Sequence, residues 1–247
     1  MDKLVRLEEI KGTIEKVYIS SLFKQISRVD FDCNEMKQFF LSLQNESDRA
    51  LSIVSFSYID KTMEDLIRQE MDPNLIGGLD SLFNPFGPLA TSSSRIKLAA
   101  AMHWISYSTH RGLELLRKIR NEFSHKPFLI GFENETVQNF LKSFKKPFVN
   151  IEKEIFEKCS LSTKEQKKIP MRLIFYIRTV LICHQMIREL ISAPKAIRIG
   201  LPPFIALGSR TKRYKSEEPK LMDDLVHCAS KLVLEILEEN KIISPEE

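Results

Sequence analysis

The chain has 247 residues, which is enough to bury a sizeable core in one or two domains. Its 37 basic and 33 acidic residues give a net charge of +4, which is too small for a protein that binds polyanions over its whole surface. Only 8 glycines and 11 prolines occur, and long stretches lack both, so the composition favours helices over sheets.

The cysteines and the apolar stretches narrow the class of protein further. The four cysteines lie far apart without a C-x-x-C pair, which disfavours zinc ribbons and dithiol redox motifs and is typical of the reducing cytosol. The opening MDKLVRLEEI lacks the apolar run of a signal peptide. The most apolar stretch, residues 171–187, is too short and too charged to cross a bilayer. We therefore expect a cytoplasmic protein that makes no contact with a membrane.

The first half of the chain predicts several helices. Residues 1–43 have apolar residues at helical spacing and predict one or two helices, with a break near residues 28–34. Residues 45–71 give the strongest prediction, and their apolar residues occupy most of the circumference, so we expect this helix to be central. The proline after Asp72 and the pair Gly77-Gly78 end it.

A loop over residues 82–95, rich in proline, glycine and serine, comes next, and its serines are suited to cap a helix from about Arg95 to Trp104. Another helix is predicted from about Ser108 to His125. A short extended piece follows over residues 126–134.

The second half of the chain predicts further helices. Residues 134–159 form the first of them, and Ser162, three residues before Glu165, predicts a capping box. Residues 171–192 and 220–240 are also helical in pattern, and a long loop over residues 194–219 separates them. The fold class is therefore all-α. We expect a multi-helix bundle with a helical extension over residues 1–44, a core over 45–159, and C-terminal helices over 160–247.

Charged residues on apolar helix faces are the main functional signal. Arg120 falls inside the apolar arc of its helix, and a buried guanidinium needs carboxylate or carbonyl partners because it cannot lose its proton. Asp60 lies in the same way among apolar residues of helix 45–71. We predict a polar core in which Asp60 or Glu64 accepts hydrogen bonds from Arg120, or from Arg95, which also lies on the apolar side of its helix. We therefore expect Arg120→Ala to lower stability far more than His125→Ala does.

The set Arg120-Asn121-x-x-x-His125 allows two interpretations. In one, His125 moves protons at a ribose 2′-hydroxyl and Arg120 holds the scissile phosphate, as in RNA cleavage. In the other, Arg120 pairs internally and faces the core, while Asn121 and His125 hold the following loop, and no metal-independent ribonuclease activity is expected. The pattern R-N-x-x-x-H resembles the motif of the HEPN superfamily. That resemblance implies an endoribonuclease whose site forms where two copies meet at a dimer interface.

A wider pattern over residues 46–145 resembles the mannitol operon repressor (MltR) family. The specific parts are Gly87-Pro88-Leu89, residues 94–98 (SRIKL) and residues 119–125 (IRNEFSH). The resemblance implies an all-helical protein associated with negative regulation of transcription, without a recognisable DNA-reading motif. We therefore expect a regulator that acts mainly through protein–protein contacts, with a protein partner or self-association. The HEPN-type ribonuclease is the alternative.

Two further features of the sequence are weaker indicators of function. The loop over residues 194–215 carries six basic and no acidic residues, and it either contacts phosphates weakly and without sequence preference or is a solvated surface. Its basic residues are Lys195, Arg198, Arg210, Lys212, Arg213 and Lys215. The pairs Cys183-His184 and His227-Cys228 lie on predicted helices, where adjacent side chains diverge, so we expect no metal site. No phosphate-binding glycine motif occurs, and no cofactor is expected.

Overall fold

The structure is a computed structural model that describes residue 7, residue 10 and the ranges 31–71, 74–126, 131–192 and 218–243. Regular structure in these ranges is helical, with no strand, so the expected all-α class is confirmed. The helices with defined bounds are α1 (Cys33–Ser42), α2 (Asp48–Glu70), α3 (Asp80–Phe83), α4 (Ser92–Ala101), α5 (Tyr107–His125), α6 (Glu135–Lys142), α7 (Phe148–Lys158), α8 (Thr163–Gln166), α9 (Met171–Ser192) and α10 (Glu218–Glu239).

Most of these helices begin at a side chain that accepts hydrogen bonds from the first turn. Such a cap stabilises a helix start because the first backbone N–H groups have no partner within the helix. In α8 the cap is the predicted capping box, in which Ser162 and Glu165 bond reciprocally. The capping residues are Asp32, Ser47, Thr91, Ser106, Asn134 and Ser162.

The centre of the molecule is α9, which packs against α2, α5, α6, α7 and α10. Its side chains are buried on nearly every side, as expected of a helix that is apolar around its circumference. The sequence pattern predicts a central position for α2. However, α2 has a solvent face that includes Val54, Ser57 and Lys61, and it packs on α4, α5 and α9.

One charged residue of α9, Arg178, is accommodated inside the core. Its guanidinium donates to both carboxylate oxygens of Glu152 on α7, at 2.6 and 3.0 Å, and to the carbonyl oxygen of Leu141 at 2.6 Å. Burial raises the pKa of Glu152, and the hydrogen bonds and charge of Arg178 oppose this effect. A bidentate pair with a further carbonyl acceptor is the arrangement that a buried guanidinium requires.

Several predicted boundaries differ from the structure. Residues 134–159 form two helices, α6 and α7, because Pro147 cannot continue a helix from the residues before it. The cap of α4 is Thr91, and the serines expected to cap this helix lie inside its first turn. Of the expected extended piece, only residues 126 and 131–134 are described, and the Asn134 N–H donates to Gly131 O in a turn.

Two findings bear on membranes and on the loop after α9. None of the helices in the described ranges combines the length and apolar character needed to cross a lipid bilayer. The basic loop over residues 194–215 lies outside the described residues.

Candidate functional site

A bidentate ion pair between Arg95 and Asp60 joins α4 to α2. The Arg95 Nε and Nη2 atoms donate to Asp60 Oδ1 and Oδ2 at 3.1 and 2.7 Å, and Nη1 lies 3.2 Å from Glu64 Oε2. Arg95 is only 6% exposed, so its charge is almost fully desolvated. The two planar groups face each other in the geometry that gives the strongest arginine–carboxylate contact. Three of the four residues expected in a polar core, Asp60, Glu64 and Arg95, therefore meet.

The fourth residue, Arg120, lies outside this network. Its guanidinium carbon lies 5.3 Å from the centre of the Phe56 ring, within the range of a cation–π contact. The side chain is half-buried and its Nε is buried without a hydrogen-bond partner. Within the described residues it makes no salt bridge, and Arg95 pairs with the carboxylates of Asp60 and Glu64. Arg120 is thus a partly exposed cation that no carboxylate of the described ranges neutralises.

His125 is the last residue of α5 and is exposed, while Asn121 is half-buried. Residues five apart on a helix point about 140° away from each other, so Arg120 and His125 diverge around the axis of α5. Nearby, Arg49 of α2 donates from Nη2 to the Ser124 carbonyl oxygen at 3.2 Å, which holds the end of α5 against α2. The motif residues are therefore close in sequence but do not converge on one point within a single chain.

The polar network around Arg95 also positions the connection between α2 and α4. Arg95 Nη1 donates to the carbonyl oxygens of Leu89 and Ala90 at 2.8 and 3.3 Å. Arg68 at the end of α2 bonds Glu64 at 2.9 Å and Asp80 of α3 at 2.7 Å. These contacts link the charged face of α2 to Asp80 and to Leu89 and Ala90. We call residues 74–91, which contain these contact points, the connecting segment.

Apolar side chains also hold the connecting segment in place. Phe83 and Leu89 are buried, and the Arg68 guanidinium carbon lies 4.1 Å from the centre of the Phe83 ring. The Leu89 N–H donates to Leu82 O at 2.8 Å, which closes the loop on itself. At Gly87 a Cβ atom would lie 2.3 Å from the same Leu82 oxygen, so only glycine fits this turn. The connecting segment is therefore an anchored structure with a close-packed turn at Gly87.

Two large apolar side chains project from the connecting segment into solvent. Phe86 is 100% exposed and Ile76 is 98% exposed. A phenylalanine that leaves its whole ring in water loses the free energy that burial would give, about 2 kcal/mol. The backbone on either side of Phe86 is held by the hydrogen bonds from the Gly87 N–H to Asn84 O and from the Leu89 N–H to Leu82 O. The segment thus presents apolar side chains on a hydrogen-bonded backbone.

The remaining candidate residues show features of packing. Cys183 and His184 are completely buried in α9, and burial together with the charge of Arg188 lowers the pKa of His184 to about 3. In the described parts of the chain, no three histidine, cysteine or acidic side chains are grouped closely enough to bind a metal ion. Glu189 of α9 is also buried, and it accepts a hydrogen bond from the Ser106 N–H at the start of α5 at 2.9 Å. Burial raises the pKa of this carboxyl, and its hydrogen bonds to Ser106 oppose the rise.

Sequence reasoning did not single out the exposed pair Ile76 and Phe86 or the buried pair Arg178 and Glu152. The proline, glycine and serine content of residues 82–95 indicated a loop, but composition does not show which of its side chains are buried. In the sequence, Arg178 is one of the charges that interrupt the apolar stretch over residues 171–187. A charged residue within an otherwise apolar helix indicates that a carboxylate packs opposite it.

Comparisons with known proteins add no family. No protein-family model matches the chain, and neither a curated protein nor a solved structure is significantly similar to it.

Proposed function

We propose that the protein is a regulator of transcription that acts by binding another protein through its connecting segment, residues 74–91. The observation that carries this proposal is the full exposure of Phe86 on a segment anchored by buried contacts. The resemblance of residues 46–145 to the MltR family supports a role in negative regulation. Under this proposal Arg95, Asp60 and Glu64 are structural residues that hold the binding surface in shape.

Anchoring matters because binding has an entropic cost. A side chain that is already held in its bound position loses little freedom when a partner covers it, so more of the burial free energy appears as affinity. Aromatic side chains that insert into a partner's pocket often dominate the binding energy of an interface. Phe86 is aromatic and its backbone is held in the turn at Gly87, and Ile76 adds a second exposed apolar side chain. The partner that fits them is a protein with an apolar pocket.

Photochemical crosslinking in cells that naturally contain the protein tests this surface. Phe86 is replaced by the photoreactive amino acid benzoylphenylalanine, and adducts are identified by mass spectrometry. The matched control has the same group at Lys61, an exposed position on α2. We expect position 86 to crosslink to a component of the transcription machinery or to a transcription factor, and position 61 not to do so. Equal labelling from both positions, or none from position 86, would contradict the proposal.

A second candidate function, RNA cleavage of the HEPN type, is favoured by one observation. Arg120 holds a positive charge near the surface with no salt bridge among the described residues, and an RNA phosphate is an anion of the right kind for it. Because Arg120 and His125 diverge around α5, a site of this type requires a second copy to complete it. The resemblance to the HEPN motif implies such an arrangement.

An RNA-cleavage assay separates the two functions. Purified protein is incubated with RNA in the presence of a chelator, and products are examined for 2′,3′-cyclic phosphate ends. Our leading proposal expects no such ends above background. Cleavage that His125→Ala abolishes would instead establish the ribonuclease.

A further inference from the structure

The start of α1 and the middle of α10 enclose a cleft of about 470 Å³ that is remote in sequence from the connecting segment. Its lining includes two cysteines, two lysines, a histidine and an aspartate: Cys33, Cys228, Lys37, Lys231, His227 and Asp224. The two helices are also joined by a salt bridge, in which Lys37 Nζ lies 2.6 Å from a carboxylate oxygen of Glu235. Two thiols therefore line one solvent-accessible cleft between two packed helices.

The two cysteines are in direct contact. The Cys228 thiol donates a hydrogen bond to the carbonyl oxygen of Cys33, with Sγ 2.7 Å from that oxygen, and the two side chains are also hydrogen-bonded to each other. Both cysteines are free. The hydrogen bond from Cys33 lowers the pKa of Cys228, burial opposes this effect, and the positive charge of Lys37 adds to it. The shared hydrogen bond and burial raise the pKa of Cys33.

The opposite pKa shifts give the two thiols different chemical roles. The thiolate is the reactive form of cysteine, and a neighbouring thiol and a lysine stabilise it at Cys228. Cys33 stays protonated beside it, as a second thiol that can resolve an oxidised intermediate. The other cysteines are different: Cys183 is completely buried in α9, where burial raises its pKa, and Cys159 is 4% exposed at the end of α7.

We propose that Cys33 and Cys228 form an oxidisable dithiol site whose substrate is a hydroperoxide. The Cys228 thiolate attacks one oxygen of hydrogen peroxide, the O–O bond breaks, and the departing hydroxide takes up a proton and leaves as water. Cys228 is now a sulfenic acid. The Cys33 sulfur then attacks the Cys228 sulfur, and the hydroxyl group leaves as a second water with the Cys33 proton. Two thiols and one peroxide thus give one disulfide and two waters, and the peroxide is the oxidant.

The resulting disulfide would join two helices that are far apart in the chain. Cys33 and Cys228 are separated by 195 positions, so the crosslink closes a very long loop. Restricting so long a loop reduces the freedom of the unfolded chain, and the oxidised protein should melt at a higher temperature than the reduced protein. A reductant reverses the change because exchange with an external thiol restores both cysteines.

The test is intact-mass and peptide mass spectrometry of the full chain, reduced and then treated with hydrogen peroxide. We expect the wild type to lose the mass of two hydrogen atoms, to yield a peptide pair linked through Cys33 and Cys228, and to melt at a higher temperature. Dithiothreitol should reverse all three changes. Cys159→Ser is the matched control and should oxidise like the wild type.

Two single variants test the order of steps. Cys33→Ser should form no disulfide and should accumulate a Cys228 sulfenic acid that the reagent dimedone traps, whereas Cys228→Ser should leave Cys33 as a thiol. Melting curves of both reduced variants establish that they are folded. The proposal is overturned if peroxide leaves the wild-type mass unchanged, if the disulfide links other cysteines or two molecules, or if Cys33 in Cys228→Ser oxidises as fast as the wild type.

Discussion

Asp60 on α2 accepts two hydrogen bonds from Arg95 on α4, at 3.1 and 2.7 Å, and the same guanidinium holds the carbonyl oxygens at the end of the connecting segment. One arginine thus links the middle of a long helix to the surface that we propose binds a partner. The pair is largely removed from water, with exposed side-chain fractions of 7% for Arg95 and 20% for Asp60. Loss of Arg95 leaves the Asp60 carboxylate without its partner, whereas loss of Asp60 leaves Arg95 with Glu64 at 3.2 Å and with two carbonyl acceptors.

The first prediction concerns the stability of this pair. Arg95→Ala should lower the free energy of unfolding by about 3 kcal/mol, because it leaves the Asp60 carboxylate without its partner. Asp60→Ala should lower it by less, because Arg95 keeps Glu64 as a partner. The double variant should lose clearly less than the sum of the two. Urea unfolding measures all three. Lys61→Ala, which removes an exposed i, i+4 ion pair next to Asp60, is the matched control and should change little. Strict additivity would show that the two charges are not coupled.

The second prediction concerns Arg120, where the sequence pattern and the structure differ. Since no carboxylate among the described residues pairs with Arg120, its removal strands no charge and loses mainly the contact with Phe56. Arg120→Ala should therefore lower the free energy of unfolding by only about 1 kcal/mol. The measurement is the same urea titration, with Arg95→Ala alongside. A loss as large as that of Arg95→Ala would mean that Arg120 has a buried anionic partner.

The difference between Arg95 and Arg120 shows what a sequence pattern can and cannot predict. Helical spacing places Arg95, Arg120 and Asp60 on the apolar faces of their helices. In the structure these three side chains do lie where helices pack together or at the edges of those contacts. Spacing gives only the angle of a side chain about its own helix. Which of two arginines reaches a given carboxylate depends on the crossing of α2, α4 and α5, which is a tertiary property.

The same distinction holds elsewhere in the chain. The long helices α2, α5 and α9 could be predicted because their apolar periodicity extends over several turns. Pro147 indicates a break before α7, but the helical periodicity on both sides of it predicts one continuous helix. The exposure of Phe86 and the contact between Cys33 and Cys228 could not be predicted. The first depends on which loop residues anchor the turn, and the second joins positions separated by almost the whole chain.

The third prediction concerns acid stability and His184. Its pKa is lowered from 6.5 to about 3, because burial and the charge of Arg188 disfavour the protonated ring. Between these two pH values the unfolded chain binds a proton at His184 and the folded chain does not. The free energy of unfolding should therefore fall as the pH falls through this window. At about pH 5 the loss from this residue is about 2 kcal/mol.

His184→Leu removes this titrating group from the same buried position. On going from about pH 7 to about pH 5, the wild type should lose about 2 kcal/mol more of its unfolding free energy than His184→Leu does. Comparing the two proteins cancels the contributions of other groups, including the buried carboxyls of Glu152 and Glu189, whose raised pKa values act in the opposite direction. Parallel pH dependences for the two proteins would contradict the assignment.

The central claim is that the chain regulates transcription through a protein contact made by Phe86 and its anchored segment. The most direct measurement compares transcript profiles of cells that carry the wild type, a deletion, Phe86→Asp or the control Lys61→Asp, with the protein level and melting temperature of each variant checked. We predict that Phe86→Asp reproduces the transcript changes of the deletion while the protein stays folded and abundant, and that Lys61→Asp matches the wild type. A Phe86→Asp profile indistinguishable from that of the wild type would contradict the account.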